Sequence, residues 1–213
     1  MKLNYISNNC MGGLMFQYFN EQYTNPFIWS LILDDKQFVE LCINYDKYIE
    51  ESVILKKIDE KSRWCNDTKK KSFNDWEYPI LDLSGIEIHW IHHQNQEDKL
   101  LKNYEKRKQR YLKNKTKTIF LFNYFTLFQE YTLEEFEELL KTFLKHNHYS
   151  IILLPDNLPL YIYNLSDERN IIVKMEGNKF NTSKRNLWYY NENDTPEKRY
   201  AFISYIEKIK KGI

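Results

Sequence analysis

The sequence predicts a single α/β domain over residues 1–213: a three-layer, Rossmann-like sandwich with a mostly parallel sheet and helices on both faces. Three observations predict it. Several short runs, among them "TIFLFNYF" and "YSIILLP", are apolar at almost every position, as strands buried on both faces are. Between such runs lie segments whose apolar residues recur at three- and four-residue spacing, the mark of amphipathic helices. The length suits one large domain, and no internal repeat or Pro/Gly/Ser-rich linker divides it.

In chain order, "KLNYIS" reads as a short strand and Gly12 to Gln22 as a helix, with Leu14, Met15, Tyr18 and Phe19 on one face. "FIWSLIL" (27–33) reads as a buried strand. "DDKQFVELCINY" reads as a helix capped by Asp34 or Asp35, with Phe38, Leu41 and Cys42 on one side. Residues 56–77 are polar and mixed in charge, an irregular excursion. In "YPILDLSGIEIHWIHH" (78–93), Ile86, Ile88, Trp90 and His92 alternate with Glu87, His89 and Ile91, which predicts a strand ending near His92. Gln96 to Lys113 reads as a long helix with Leu100, Leu101, Tyr104, Tyr111 and Leu112 on one arc.

A strand is expected over 116–125. Thr132 and Glu135 then form a T-x-x-E capping box ahead of Phe136, Leu139, Leu140, Phe143 and Leu144. "YSIILLP" (149–155) and "NIIVKM" (170–175) read as strands, and 156–195 is the least regular stretch. Thr195-Pro196 opens the last helix, which Gly212 closes behind Lys208, Lys210 and Lys211.

Composition narrows the function classes. A net charge of +1 argues against a protein that coats nucleic acid or an anionic membrane. The basic run "KLLKNYEKRKQRYLKNKTK" (99–117) is offset by the acidic "EYTLEEFEE", so no nucleic-acid partner is expected. The longest apolar runs are too short for a membrane span, and peripheral contact stays open. Three widely spaced cysteines, Cys10, Cys42 and Cys65, make neither a disulfide framework nor a C-x-x-C metal pair. Reduced thiols in the cytoplasm are the expectation. No metal ligand set is read, and the cofactor is unknown.

The chain holds only five glycines, and two of them adjoin at Gly12 and Gly13. They sit in "YISNNCMGGLMFQYF", between the first strand and the first helix. Ligands of parallel α/β sheets gather beyond the carboxyl ends of strands, and a helix amino terminus favours an anion. Asn8, Asn9, Gly12 and Gly13 are therefore candidate ligand-binding residues, either cradling a phosphate or carboxylate or forming an oxyanion hole. Ser7 and Cys10 are candidate nucleophiles. The same residues also read structurally: Asn9 as a helix cap, the glycines as close packing, Cys10 as a small buried residue. His92 is a candidate general base or acid, while His89 and His93 read as surface or hydrogen-bonded histidines. Arg107, at the border of its helix's apolar arc, is a candidate anion ligand.

"YISNNCMGGLMFQYF", "NPFIWSLILDDKQFVEL", "YPILDLSGIEIHWIHH" and "KNYEKRKQRY" together resemble a bacterial family of unknown function associated with exopolysaccharide (capsular polysaccharide) biosynthesis. The resemblance covers roughly residues 3–125. Ser7, Asn8, Asn9, Cys10, Gly12 and Gly13 match its first block, Pro79 its second, His92 its third and Arg107 its basic helix. Met11 stands where the family has tryptophan, His93 where it has tyrosine, and Tyr104 near another tryptophan. The resemblance implies a sugar, nucleotide-sugar or acyl donor as substrate. The first block is also distantly similar to that of Ser-Gly-Asn-His hydrolases, whose late D-x-x-H element this chain lacks. The expectation is a transferase of exopolysaccharide assembly. An acyl-ester hydrolase or acetyltransferase, and a non-enzymatic sugar-phosphate-binding assembly protein, are the alternatives.

Overall fold

The computed structural model describes residues 2–56, 78–90, 97–114, 116–123, 131–155, 158–175 and 203–212. Its strands are β1 (Leu3–Ser7), β2 (Ile54–Lys56), β3 (Ile80–Leu83), β4 (Ile86–His89), β5 (Lys117–Asn123), β6 (Tyr149–Pro155) and β7 (Asn170–Met175). Its helices are α1 (Met11–Tyr18), α2 (Asp35–Ile43), α3 (Tyr45–Tyr48), α4 (Glu97–Asn114), α5 (Leu133–Phe143), α6 (Leu160–Tyr163) and α7 (Ile203–Lys211). The fold is mixed α/β. A four-stranded parallel sheet runs in the order β1-β5-β6-β7, and a separate three-stranded antiparallel sheet runs β2-β3-β4.

Solid apolar runs make the central strands because both of their faces are covered. Ile119, Leu121, Ile151 and Leu153 pack with Met15 and Phe16 of α1 and with Ile203, Ile206 and Ile209 of α7. Phe120, Phe122, Ile152 and Leu154 belong to a second cluster with Phe38, Leu100, Tyr104, Phe136 and Phe143. α5 starts where the sequence places it. Thr132 Oγ1 accepts the Glu135 N–H, and Glu135 Oε2 accepts the Thr132 N–H, so two end amides are satisfied reciprocally. α2 is capped by Asp34, which accepts from the N–H groups of Lys36 and Gln37.

Three expectations change. The run 27–33 is not a strand: its backbone folds into turns and joins a sheet only through a Leu31–His89 bridge. Neighbouring side chains take the bonds a ladder would make. Asn25 Oδ1 accepts the Phe27 N–H, Asn25 Nδ2 donates to the Tyr5 carbonyl, and Ser30 Oγ donates to the Phe27 carbonyl. The strand read from Ile86 toward His92 is present as β4, but it pairs antiparallel with β3 just before it in a hairpin that turns at Ser84 (φ 50°) and Gly85 (φ 94°). A mostly parallel single sheet is thus replaced by a parallel sheet with an antiparallel companion. Finally, α1 stops at Tyr18, four residues early, because Asn20 enters the left-handed region (φ 50°). The Asn20 N–H bonds to Gln17 O and the Glu21 N–H to Phe16 O, a Schellman end.

The excursion at 57–77, Cys65 and the opening of the last helix lie outside the described residues. No described helix is long and apolar enough to cross a membrane.

Candidate functional site at the carboxyl end of β1

β1 ends at Ser7, and the next three residues fold back on themselves before α1 begins. Ser7 Oγ donates to Asn9 Oδ1 at 2.7 Å, and the Met11 N–H reaches the same oxygen at 2.9 Å. Because a backbone N–H only donates, the atom facing Met11 is the carboxamide oxygen, and this fixes the orientation of the Asn9 side chain. Its Nδ2 is left buried without a hydrogen-bond partner among the described residues, although Asn9 is only 1 % exposed. A buried, unused donor is costly. Here it lies at the start of a helix, where the first-turn N–H groups have no intrahelical acceptors.

Asn8 is held from the other side. Its Nδ2 donates to the Asn123 carbonyl at 2.6 Å, its Oδ1 accepts the Asn123 N–H at 3.0 Å, and its own carbonyl accepts the Ile32 N–H. Asp35, the first residue of α2, is buried beside Asn8. Burial pushes its carboxyl well above the usual range, and Asp34 adds to the rise while Asn8 opposes it.

The two glycines have separate reasons. A Cβ on Gly12 would come 2.9 Å from the Tyr5 carbonyl oxygen, so α1 packs directly on the backbone of β1. A Cβ on Gly13 would meet the Trp29 indole at 2.6 Å. Both are helical, and neither has positive φ. The structural reading therefore accounts for the pair.

Neither candidate nucleophile is activated by a described neighbour. Burial pushes the Cys10 thiol up to about 12, which keeps it protonated at neutral pH. Ser7 Oγ donates to Asn9 Oδ1 and accepts the Asn9 N–H, with no histidine or carboxylate hydrogen-bonded to it among the described residues.

Ser7, Asn8, Asn9, Cys10, Gly12 and Gly13 are thus gathered at one edge of the parallel sheet. Arg107 makes its contact elsewhere: its guanidinium lies 5.6 Å from the ring centre of Tyr23, which packs edge-on against Phe16 in the later part of α1, and burial lowers its pKa. His92 and His93 lie outside the described residues. His89 is buried between Tyr78, whose hydroxyl is 3.4 Å from Nδ1, and Glu87, 3.7 Å from Nε2. Its neighbour Glu87 is held down to about 2, first by the adjacent His89 imidazole and then by Lys56.

Sequence reasoning missed Asp35, Asn123 and Trp29. One signal was a second aspartate where one cap suffices; another was an asparagine inside an otherwise apolar strand. Among the described residues no three His, Cys, Asp or Glu side chains gather as a metal site requires. Two concavities lie away from this loop: about 340 Å³ beside Asp46, Tyr111, Thr116 and His148, and about 490 Å³ between α2 and α5.

No curated protein matches the chain. A family model described as a domain of unknown function (DUF1919) matches residues 1–154, which take in the loop after β1, the antiparallel sheet and nearly all of β6. The chain belongs to that family.

Proposed function

We propose that this chain is a bacterial, cytoplasmic transferase of exopolysaccharide assembly, acting on a sugar, nucleotide-sugar or acyl donor whose anionic group rests on the Asn8–Gly13 loop. The observation that carries the proposal is the buried Nδ2 of Asn9, a donor without a described partner at the amino end of α1. An anionic oxygen would satisfy it together with the first-turn amides. Cys10 serves as a wall. The protonated thiol, and a Ser7 hydroxyl with no histidine or carboxylate bonded to it among the described residues, speak for direct transfer rather than an acyl-enzyme hydrolase. In this reading His92, assigned from the sequence, activates the acceptor hydroxyl. The apolar clusters on alternate strand residues support the finer fold reading, a three-layer Rossmann-like sandwich.

The test is a mass-spectrometric screen of the purified chain with nucleotide sugars and acyl donors, alongside polymer output in cells carrying Asn9→Asp or His92→Ala. A transferred group that disappears in Asn9→Asp supports the proposal. Binding without product would favour an assembly protein, and wild-type polymer from both variants would remove these residues from catalysis.

A further inference from the structure

Trp29 has no role in the reading above, yet its placement is specific. Its φ is +61°, a left-handed conformation that bulky residues rarely adopt and that persists only where the surroundings over-determine it. Those surroundings are the side-chain bonds of Asn25 and Ser30 on one side. On the other are the Leu31–His89 bridge and the bond from the Ile32 N–H to the Asn8 carbonyl. Together they lay the indole against the first turn of α1, in a space that only a glycine at position 13 leaves open. The ring is nevertheless only half-buried. It makes no hydrogen bond, ion pair or ring contact with any described residue.

Gly13 and Asn9 are four residues apart, about one helical turn or ~6 Å of rise. A flat apolar face therefore lies about one turn along from an unused amide donor. We propose that Trp29 is the stacking platform for the sugar ring or nucleobase of a ligand whose anionic group occupies the start of α1. This rests on the anion reading of the loop, and it narrows the ligand to a phosphorylated sugar or nucleotide sugar. A tryptophan face accepts the apolar side of a pyranose or a base, while its N–H edge stays free for a hydroxyl.

The experiment is calorimetric titration of the full chain with inorganic pyrophosphate, uridine diphosphate glucose and guanosine diphosphate mannose. It compares wild type, Trp29→Gly and Trp29→Phe. Glycine removes the ring and accepts the left-handed backbone; phenylalanine keeps a smaller ring should the glycine variant fail to fold. The wild type should bind at least one nucleotide sugar more tightly than pyrophosphate. Trp29→Gly should lose on the order of tenfold in that affinity with pyrophosphate unchanged, and Trp29→Phe should keep much of it. Equal weakening of both ligands by Trp29→Gly would overturn the platform while leaving the anion reading intact. So would pyrophosphate binding as tightly as the nucleotide sugars. A wild type that binds neither ligand class would sink both.

Discussion

Asn8 and Asn123 are joined side chain to backbone: one carboxamide both donates to the Asn123 carbonyl and accepts its N–H. The β1–β5 ladder runs from the Leu3–Lys117 pair to the Ser7–Leu121 pair. Beyond it the main chain turns away toward α1, and the Asn8 amide supplies one further rung. The chain can thus leave the sheet without stranding buried backbone groups. Asn8→Ala removes both bonds in a buried setting, and each abandoned group costs about 1–3 kcal/mol. Urea titration should show a clearly lower midpoint with an unchanged slope. A wild-type midpoint would mean that the pairing contributes nothing.

Asn9 separates stability from binding in one residue. Its Oδ1 holds Ser7 and Met11, and its Nδ2 is a donor without a partner among the described residues. Asn9→Asp keeps both acceptor roles and adds negative charge that the helix amino terminus favours and burial opposes. It also replaces the donor with a carboxylate that repels an anion. The expected outcome is a melting temperature within a few degrees of wild type and loss of pyrophosphate binding by calorimetry. Retained binding would dissociate the loop from anion recognition.

The adjacent glycines should respond unequally to alanine. At Gly12 the obstacle is backbone, the Tyr5 carbonyl at 2.9 Å, and the whole helix must shift to clear it. At Gly13 the obstacle is the half-buried Trp29 ring, which has solvent on one side to move into. Overpacking typically costs about 1–3 kcal/mol, so Gly12→Ala should lie at the upper end and Gly13→Ala below it. Parallel chemical denaturation of the two variants checks the order; a larger loss at Gly13 would contradict it.

This difference between the glycines marks the limit of what the string of residues discloses. Glycine scarcity singled out positions 12 and 13, and the loop they close does lie where β1 meets α1. Whether the missing Cβ atoms make room for a ligand or for protein depends on Trp29, sixteen residues on, which no local pattern reveals. The runs of β5 and β6 were legible because burial on both faces keeps their central positions, 119–122 and 151–154, apolar throughout. The run 27–33 is equally apolar, but Asn25 and Ser30 take up its backbone groups, and hydrophobicity alone cannot register that. The hairpin at Ser84-Gly85 has its signal in "LSG" and in a change of phase, since the buried positions pass from Leu81 and Leu83 to Ile86 and Ile88 across the turn. Asp34 and Asp35 looked interchangeable as caps; geometry makes one the cap and turns the other inward.

Asp35 carries a stability dependence on pH with a definite sign. Its folded-state pKa is raised, chiefly by burial. The folded protein therefore holds this proton more tightly than the unfolded chain, and the side chain disfavours folding increasingly as pH rises above the normal carboxylate value near 3.9. Asp35→Asn removes that dependence and keeps a hydrogen-bonding group beside Asn8. The urea midpoint of the variant relative to wild type should rise between pH 4.5 and pH 7.5. A constant difference across that range would show that Asp35 is not buried as a costly carboxylate.

His146 works in the opposite direction. It is buried against Phe120 and Phe143, and its Nδ1 accepts the His148 N–H. Burial first, then the neighbouring His148, lower its pKa to about 4. The unfolded chain binds this proton near pH 6.5, so between about 6.5 and 4 the unfolded state takes up protons that the folded state refuses. Stability is then full above pH 6.5 and falls as pH drops toward 4, by up to about 3 kcal/mol for a shift of this size. Glu87, held near 2 by His89 and Lys56, adds a separate loss below pH 4.5, which its partial exposure moderates. Replacing His146 with glutamine retains an acceptor without the titration. Thermal melts of His146→Gln between pH 7 and pH 4.5 should be flatter than those of wild type, and parallel curves would assign the acid sensitivity to another group.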